Sequence, residues 1–277
     1  MSALIQPQEL RATIGQADLI LLDASFFLPN EGQDAKANFI AGHLPGAQFF
    51  DLDQIADTSS SLPHMLPDPE AFATAIEAMG ISNDSQVVIY DQRGIFSAPR
   101  GWWMFRVFGH EKVRVLDGGL PAWVKMGGEL VPGASEKPEP GHFKPDFHPE
   151  MVRSLAEMRA NLAGSEAQIL DARAAPRFFA QVPEPRPGMR SGHIPGAVNI
   201  PFTSLLADGH YLPADRLKQI FLGAGVDGTK PLIASCGSGI TACAVTLGLV
   251  LADLPEASIY DGSWSEWGGR DDTPIEV

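Results

Sequence analysis

The 277-residue sequence predicts an α/β fold written twice, as two tandem domains, each a parallel sheet flanked by helices. Three observations lead there. The first is an internal repeat, the feature that most strongly constrains architecture. Leu21-Leu22-Asp23-Ala24 recurs as Ile169-Leu170-Asp171-Ala172, and Gly42-His43-Leu44-Pro45-Gly46-Ala47 as Gly192-His193-Ile194-Pro195-Gly196-Ala197. Val87-Val88-Ile89-Tyr90 recurs as Leu232-Ile233-Ala234-Ser235, and Leu116-Asp117-Gly118-Gly119 with Trp123 as Tyr260-Asp261-Gly262-Ser263 with Trp267. The matches keep their order, and the offset stays between 150 (Gly42 to Gly192) and 144 (Leu116 to Tyr260). The second is that, within each copy, short apolar runs of β type alternate with helical stretches such as 68–79 and 155–162, the pattern of a parallel sheet covered on both faces. The third is a stretch rich in Pro, Gly and charge, 127–149, which reads as an extended linker between the copies. The expected division is therefore 1–135, a linker at 136–150, and 151–277.

Composition excludes several classes of function. A net charge of −14 is wrong for binding nucleic acid through its phosphates. No run approaches the roughly 18–20 apolar residues of a membrane span. The N-terminal Met1-Ser2-Ala3-Leu4-Ile5-Gln6-Pro7 lacks the basic start and apolar core of a signal peptide, and two cysteines make no disulfide framework. A reducing cytoplasm is the expected location. The seven histidines are scattered, with none at His-x3-His spacing, so neither a metal nor another cofactor is expected. Gly223-Ala224-Gly225 lacks the pattern that follows in a dinucleotide-binding turn and is taken as a helix end near Phe221.

The chemistry concentrates at Cys236. It opens Cys236-Gly237-Ser238-Gly239-Ile240-Thr241-Ala242, after the strand-like run 231–235 and before a helix-length apolar segment. A small-residue loop winding into a helix brings backbone N–H groups onto the sulfur, which favours thiolate over thiol and would cradle a second atom attached to it. Ligands of parallel sheets bind outside the carboxyl ends of strands, where this cysteine falls. A lone cysteine there is ordinarily a small core residue, but the loop and the repeat favour a nucleophile. The matching position in the first copy is Asp91, followed by Gln92-Arg93-Gly94, so that copy is expected to be inactive.

Other candidates separate by the same comparison. Cys243 falls within the apolar helix and is expected in the core. His43 and His193 recur in both copies and are expected to be structural, whereas His64 has no counterpart at its place in the second half. Arg173, Arg177, Arg186 and Arg190 cluster within an acidic protein. They read either as salt-bridge partners of neighbours such as Glu184 or as a pocket for a small anion, since the arginine fork matches carboxylate geometry.

The Cys-Gly-Ser-Gly-Ile-Thr-Ala loop, both His-[Leu/Ile]-Pro-Gly-Ala motifs and the Asp-Gly-Gly/Asp-Gly-Ser motifs with their tryptophans resemble the tandem rhodanese-type sulfurtransferases over essentially the whole chain. Thiosulfate-specific members usually follow the cysteine with Arg-Lys, and members acting on 3-mercaptopyruvate carry Cys-Gly-Ser-Gly-Val-Thr. This chain resembles the second group, with Ile240 for the usual Val. The resemblance implies a Cys236 nucleophile, donor-binding arginines at Arg177 and Arg186, and a Ser238–His64–Asp53 relay. The last comes from Phe49-Phe50-Asp51-Leu52-Asp53-Gln54 and His64-Met65-Leu66-Pro67, with Leu62-Pro63 where the family often has Tyr-Asp. It further implies that Gly237, Gly239, Ile240 and Thr241 line the substrate through their N–H groups.

The expected reaction moves sulfur from 3-mercaptopyruvate through a Cys236 persulfide to a thiol or cyanide acceptor and releases pyruvate, with a thioredoxin-like reductant among the acceptors. Thiosulfate is the alternative donor, and a persulfide carrier serving one partner protein is the alternative outside catalysis. A Cys-x5-Arg phosphatase loop is not present, since position 242 is Ala.

Overall fold

The computed structural model describes residues 2–277. In the first half β1 (Leu4–Ile5), α1 (Pro7–Thr13), β2 (Leu19–Asp23), α2 (Ala35–Ala41), β3 (Ala47–Phe49), α3 (Pro69–Glu77), β4 (Gln86–Tyr90), α4 (Ala98–Val107), β5 (Val113–Leu116) and α5 (Gly119–Lys125) follow one another. The second half repeats the plan with β6 (Val152–Arg153), α6 (Leu155–Gly164), β7 (Gln168–Asp171), α7 (Ala175–Phe178) and β8 (Val198–Asn199). It adds the small pair β9 (Leu206–Ala207) and β10 (His210–Tyr211), then α8 (Ala214–Gly223), β11 (Leu232–Ser235), α9 (Ile240–Leu251), β12 (Ser258–Tyr260) and α10 (Ser263–Trp267).

The two five-stranded sheets have the same order, β1-β5-β4-β2-β3 and β6-β12-β11-β7-β8, and the strand pairings within them are parallel. Register is equivalent as well. Asp23 lies opposite Tyr90 where β2 and β4 end, and Asp171 lies opposite Ser235 where β7 and β11 end. The next residues in the chain are Asp91 and Cys236, so both strand ends deliver their loops to the carboxyl edge of a sheet, where such folds bind ligands.

Local chemistry explains the helix limits. Asp68 accepts from Ala71 N and Pro69 follows it, and Ser154 and Glu157 form a reciprocal capping box at the start of α6. Helix α9 is apolar nearly all round because nearly all round it is buried, Cys243 included. The repeated histidines serve packing. His43 stacks on Phe39 at 3.9 Å with Nδ1 2.9 Å from Phe39 O, and His193 stacks on Phe178 at 3.7 Å with Nδ1 3.0 Å from Phe178 O. The repeated tryptophans correspond too, since Trp123 Nε1 donates to Glu129 O and Trp267 Nε1 to Pro274 O, both at 2.8 Å.

The chain forms two compact units, whose borders in sequence are interrupted. The first runs to Thr58 and adds Leu66–His148 and Asp208–His210; the second comprises Ser59–Met65, Pro149–Ala207 and Tyr211–Val277. The stretch 136–150, expected as an extended linker, is docked on the first unit as far as His148. Gly141 N donates to Glu77 O, Asp146 N to Phe108 O and His148 N to Val107 O, while the Phe143 ring is buried. A Cβ at Gly141 would stand 2.2 Å from Ile81 O, so glycine here permits a close approach rather than a loose tether.

At the end of β2, Asp23 is fully buried, accepting from Ser25 N at 3.0 Å, from the Ser25 hydroxyl, and from Gln92 Nε2 at 3.1 Å. Burial outweighs these bonds and pushes its pKa up from 3.8 to about 6. Between those values the folded chain holds a proton that the unfolded chain has lost, so stability falls as pH rises through that window, by roughly 3 kcal/mol. Asp23→Asn should remove this slope. The variant should therefore gain about that much on the parent between pH 4 and pH 7 in urea denaturation, and parallel pH profiles would show Asp23 to be ionised already at pH 4.

Candidate active site

Cys236 follows β11 directly and is 2% exposed. Its loop is tied down from the Asp261-Gly262-Ser263 turn. Ser263, fully buried and at φ 48°, accepts from Cys236 N at 3.2 Å and Gly239 N at 3.1 Å and donates to Tyr260 O at 2.8 Å. Ser265 binds Gly237 O through both its N–H (2.9 Å) and its hydroxyl (2.7 Å). The N–H of Gly239, expected among the donors around the sulfur, donates to Ser263 Oγ. Helix α9 opens at Gly239, a residue with no side chain to cap the N–H groups that follow it.

The first unit shows what such a loop receives. Asp91, at the position of Cys236, is fully buried. Its Oδ2 accepts from Phe96, Ser97 and Ala98 N at 2.8–2.9 Å, and its Oδ1 accepts from Arg93 N at 2.9 Å. A carboxylate thus sits where the helix start needs an acceptor.

Ser238 is 5% exposed and its hydroxyl lies 3.0 Å from His64 Nδ1. The stretch Ser59–Met65 packs with the second unit and brings His64 there. His64 adopts φ 61°, a left-handed conformation uncommon outside glycine. Asp53 lies in the first unit, where its N–H donates to Asp51 Oδ1 at 3.2 Å.

The arginine cluster divides into distinct roles. Arg173 is buried, forks onto Asp171 (Nη2 to Oδ2, 2.7 Å), reaches Glu184 (3.0 Å) and stacks over Trp264 at 4.2 Å. Arg190 donates to the carbonyls of Gly268, Trp267 and Thr273. Both hold structure together. Arg177 is partly exposed and pairs with Glu184, and its Nη2 would lie 3.2 Å from a Cβ at Gly237. Arg177, Arg186, Met189, Gly237, Trp264 and Ser265 line a narrow cleft, and Arg186, Met189 and Ser265 also border an open one of about 560 Å³ with Ser61, Pro63 and Arg270. A comparable cleft of about 580 Å³ opens near Gln168, where β7 begins, at the opposite edge of the sheet.

A family description, the rhodanese-like domain, matches residues 6–126 and again 154–270. The chain belongs to the rhodanese-like family. Among rhodanese-like proteins it is similar to the 3-mercaptopyruvate sulfurtransferase of Escherichia coli K12, 47% identical over 95% of this chain and 94% of that one. The human 3-mercaptopyruvate sulfurtransferase is 45% identical over 94% and 88% of the two chains. The crystal structure of Escherichia coli SseA, described as a 3-mercaptopyruvate sulfotransferase, superposes with a TM-score of 0.87 at 41% identity, covering 95% of this chain and 99% of that one.

Two site residues escaped the sequence. Ser263 differs from its repeat counterpart Gly119, a signal that could have revealed it, and Ser265 carried none. Within this rhodanese-like pair of loops, Asp91→Ala would strip four backbone donors of their acceptor. The expected loss is at least about 2 kcal/mol, measured by urea denaturation; unchanged stability would mean the loop holds its shape without the carboxylate.

Proposed function

We propose that the chain is a 3-mercaptopyruvate sulfurtransferase with Cys236 as its nucleophile. The observation that carries this is the buried cysteine directly after β11, two residues from a serine bonded to histidine. In the first half-reaction the donor's carboxylate and keto oxygen bind Arg177 and Arg186. The Cys236 thiolate attacks the donor sulfur, an S–S bond forms, the C–S bond breaks, and its electron pair leaves on the pyruvate enolate. Ser238, linked to His64 in a relay whose third member by resemblance is Asp53, delivers the proton that turns enolate into pyruvate. The N–H groups of Ile240 and Thr241 stabilise the persulfide, with Gly237 leaving room beside Arg177. In the second half-reaction an acceptor thiolate or cyanide takes the outer sulfur and returns the Cys236 thiolate, so the kinetics are ping-pong.

A second donor is weighed by charge. Thiosulfate is a dianion suited to cationic loop side chains, and Gly237 and Ser238 supply none. With no cation in the loop beside the cysteine, the monoanionic donor is favoured. Among the described residues no helix is long and apolar enough to cross a membrane. The two cysteines form no disulfide, and with the −14 net charge this supports a cytoplasmic enzyme that accepts small thiols or a thioredoxin-like reductant rather than nucleic acid. The first copy, with Asp91 in place of the thiol, takes no part in sulfur chemistry.

Cys236→Ser should abolish transfer, and Ser238→Ala should lower kcat by about 10²-fold. The parent should gain ~32 Da with 3-mercaptopyruvate, as in a persulfide, and discharge to free thiols. Substantial turnover by Cys236→Ser would move the nucleophile to Cys243. Faster turnover of thiosulfate at saturation would overturn the donor, and discharge to one partner protein alone would make the chain a carrier.

A further inference from the structure

Arg177 stands on α7, a helix of four residues whose own hydrogen bonds scarcely fix a long side chain. What fixes it is Glu184. Arg177 Nε donates to Glu184 Oε1 at 3.2 Å and Nη2 donates to Oε2, so the side-on edge of the guanidinium is occupied. The remaining donors, on Nη1 and the outer side of Nη2, form the end-on edge, and Nη2 is the atom beside Gly237. The Glu184 carboxylate is itself held, since its side chain is 3% exposed and Oε1 also accepts from Arg173 Nη1 at 3.0 Å. Arg173 in turn forks onto Asp171, the last residue of β7, and donates to Gly192 O at 2.9 Å. A ladder of four alternating charges therefore runs from the sheet edge to Arg177.

The fold does not require this ladder. The first copy meets the same buried carboxylate at the same strand end with neutral partners, Ser25 and Gln92, where the second has Arg173, itself paired with Glu184. Buried ion pairs add little net stability over neutral packing, because desolvation offsets their attraction. The ionic version occurs in the copy that carries the thiol.

We propose that Glu184 is a positioning residue. It holds the side-on edge of Arg177 so that the end-on edge faces the Cys236 loop, ready for the carboxylate of the sulfur donor. The inference rests on the reading of Arg177 as a donor-binding residue. Glu184 touches no reacting atom; its effect passes through Arg177 and is confined to the half-reaction in which the donor binds.

Ping-pong kinetics separate the half-reactions, since kcat/KM for the donor reports only persulfide formation and kcat/KM for the acceptor only its discharge. Glu184→Gln should lower kcat/KM for 3-mercaptopyruvate by about tenfold and leave that for cyanide within about twofold. Glu184→Asp keeps the charge on Arg173 but shortens the reach to Arg177, and should show the same donor-only defect at about threefold. Arg177→Lys should lower the donor value as well, and adding Glu184→Gln to it should change little further, because the two act as one unit. No donor defect in Arg177→Lys would sink the reading of Arg177. A defect there, with either Glu184 variant at parental donor values, would overturn the positioning role alone. Equal losses in both half-reactions, or a Glu184→Gln chain that does not fold alongside a fully active Glu184→Asp, would make Glu184 a structural residue only.

Discussion

A parallel strand that runs into a helix leaves unpaired N–H groups at the helix start, pointing at whatever follows the strand. Both halves of this chain must satisfy that demand at the same place. In the first, Asp91 does so with its own carboxylate, taking three N–H groups near the start of α4 on one oxygen. In the second, the residue is Cys236, whose side chain is a thiol, and α9 opens at Gly239, which has no side chain to offer. In the first copy the aspartate fills the loop; in the second the same position holds a cysteine. Ser263 takes the N–H groups of Cys236 and Gly239, which shapes the loop.

The same comparison explains the charges behind the loop. Each sheet ends β2 or β7 with a buried aspartate. Asp23 has only hydroxyl and amide partners, and burial raises its pKa to about 6. Asp171 has Arg173 across it, and the second carboxylate that Arg173 attracts, Glu184, reaches the partly exposed Arg177. Neutral bonds suffice for the fold, and the ionic set extends outward to the surface of a cleft. Residues common to both copies, His43 with His193 and Trp123 with Trp267, hold backbone carbonyls and aromatic neighbours in equivalent ways. Residues found in one copy only, such as Cys236, His64, Ser263 and Glu184, gather around the thiol loop or its arginine.

Much of the fold was legible because a duplicated sequence supplies its own comparison. Repeated strands, helices and turns came out with the same sheet order and register. The stretch 136–150 reads as an extended linker, but Pro and Gly mark both loose segments and segments that lie close against a surface. Phe143 and the near contact at Gly141 decide between them, and both depend on the partner surface. Ser265 was illegible for the same reason, since a serine two residues after Ser263 acquires meaning only when its hydroxyl meets Gly237 O.

By itself the sequence determined that two α/β domains exist, that one carries a cysteine at a strand end, and that its neighbours Gly237 and Ser238 bear no positive charge. These follow from periodicity, repetition and residue type, which are local properties of the chain. Tertiary structure alone decided which arginines, Arg173 and Arg190, are braces and which, Arg177 and Arg186, line a cleft. It also placed His64, 174 residues from Ser238 in sequence, against the serine hydroxyl. Hydrogen-bond direction and burial depend on what surrounds a group in space, and no local pattern in the chain records that.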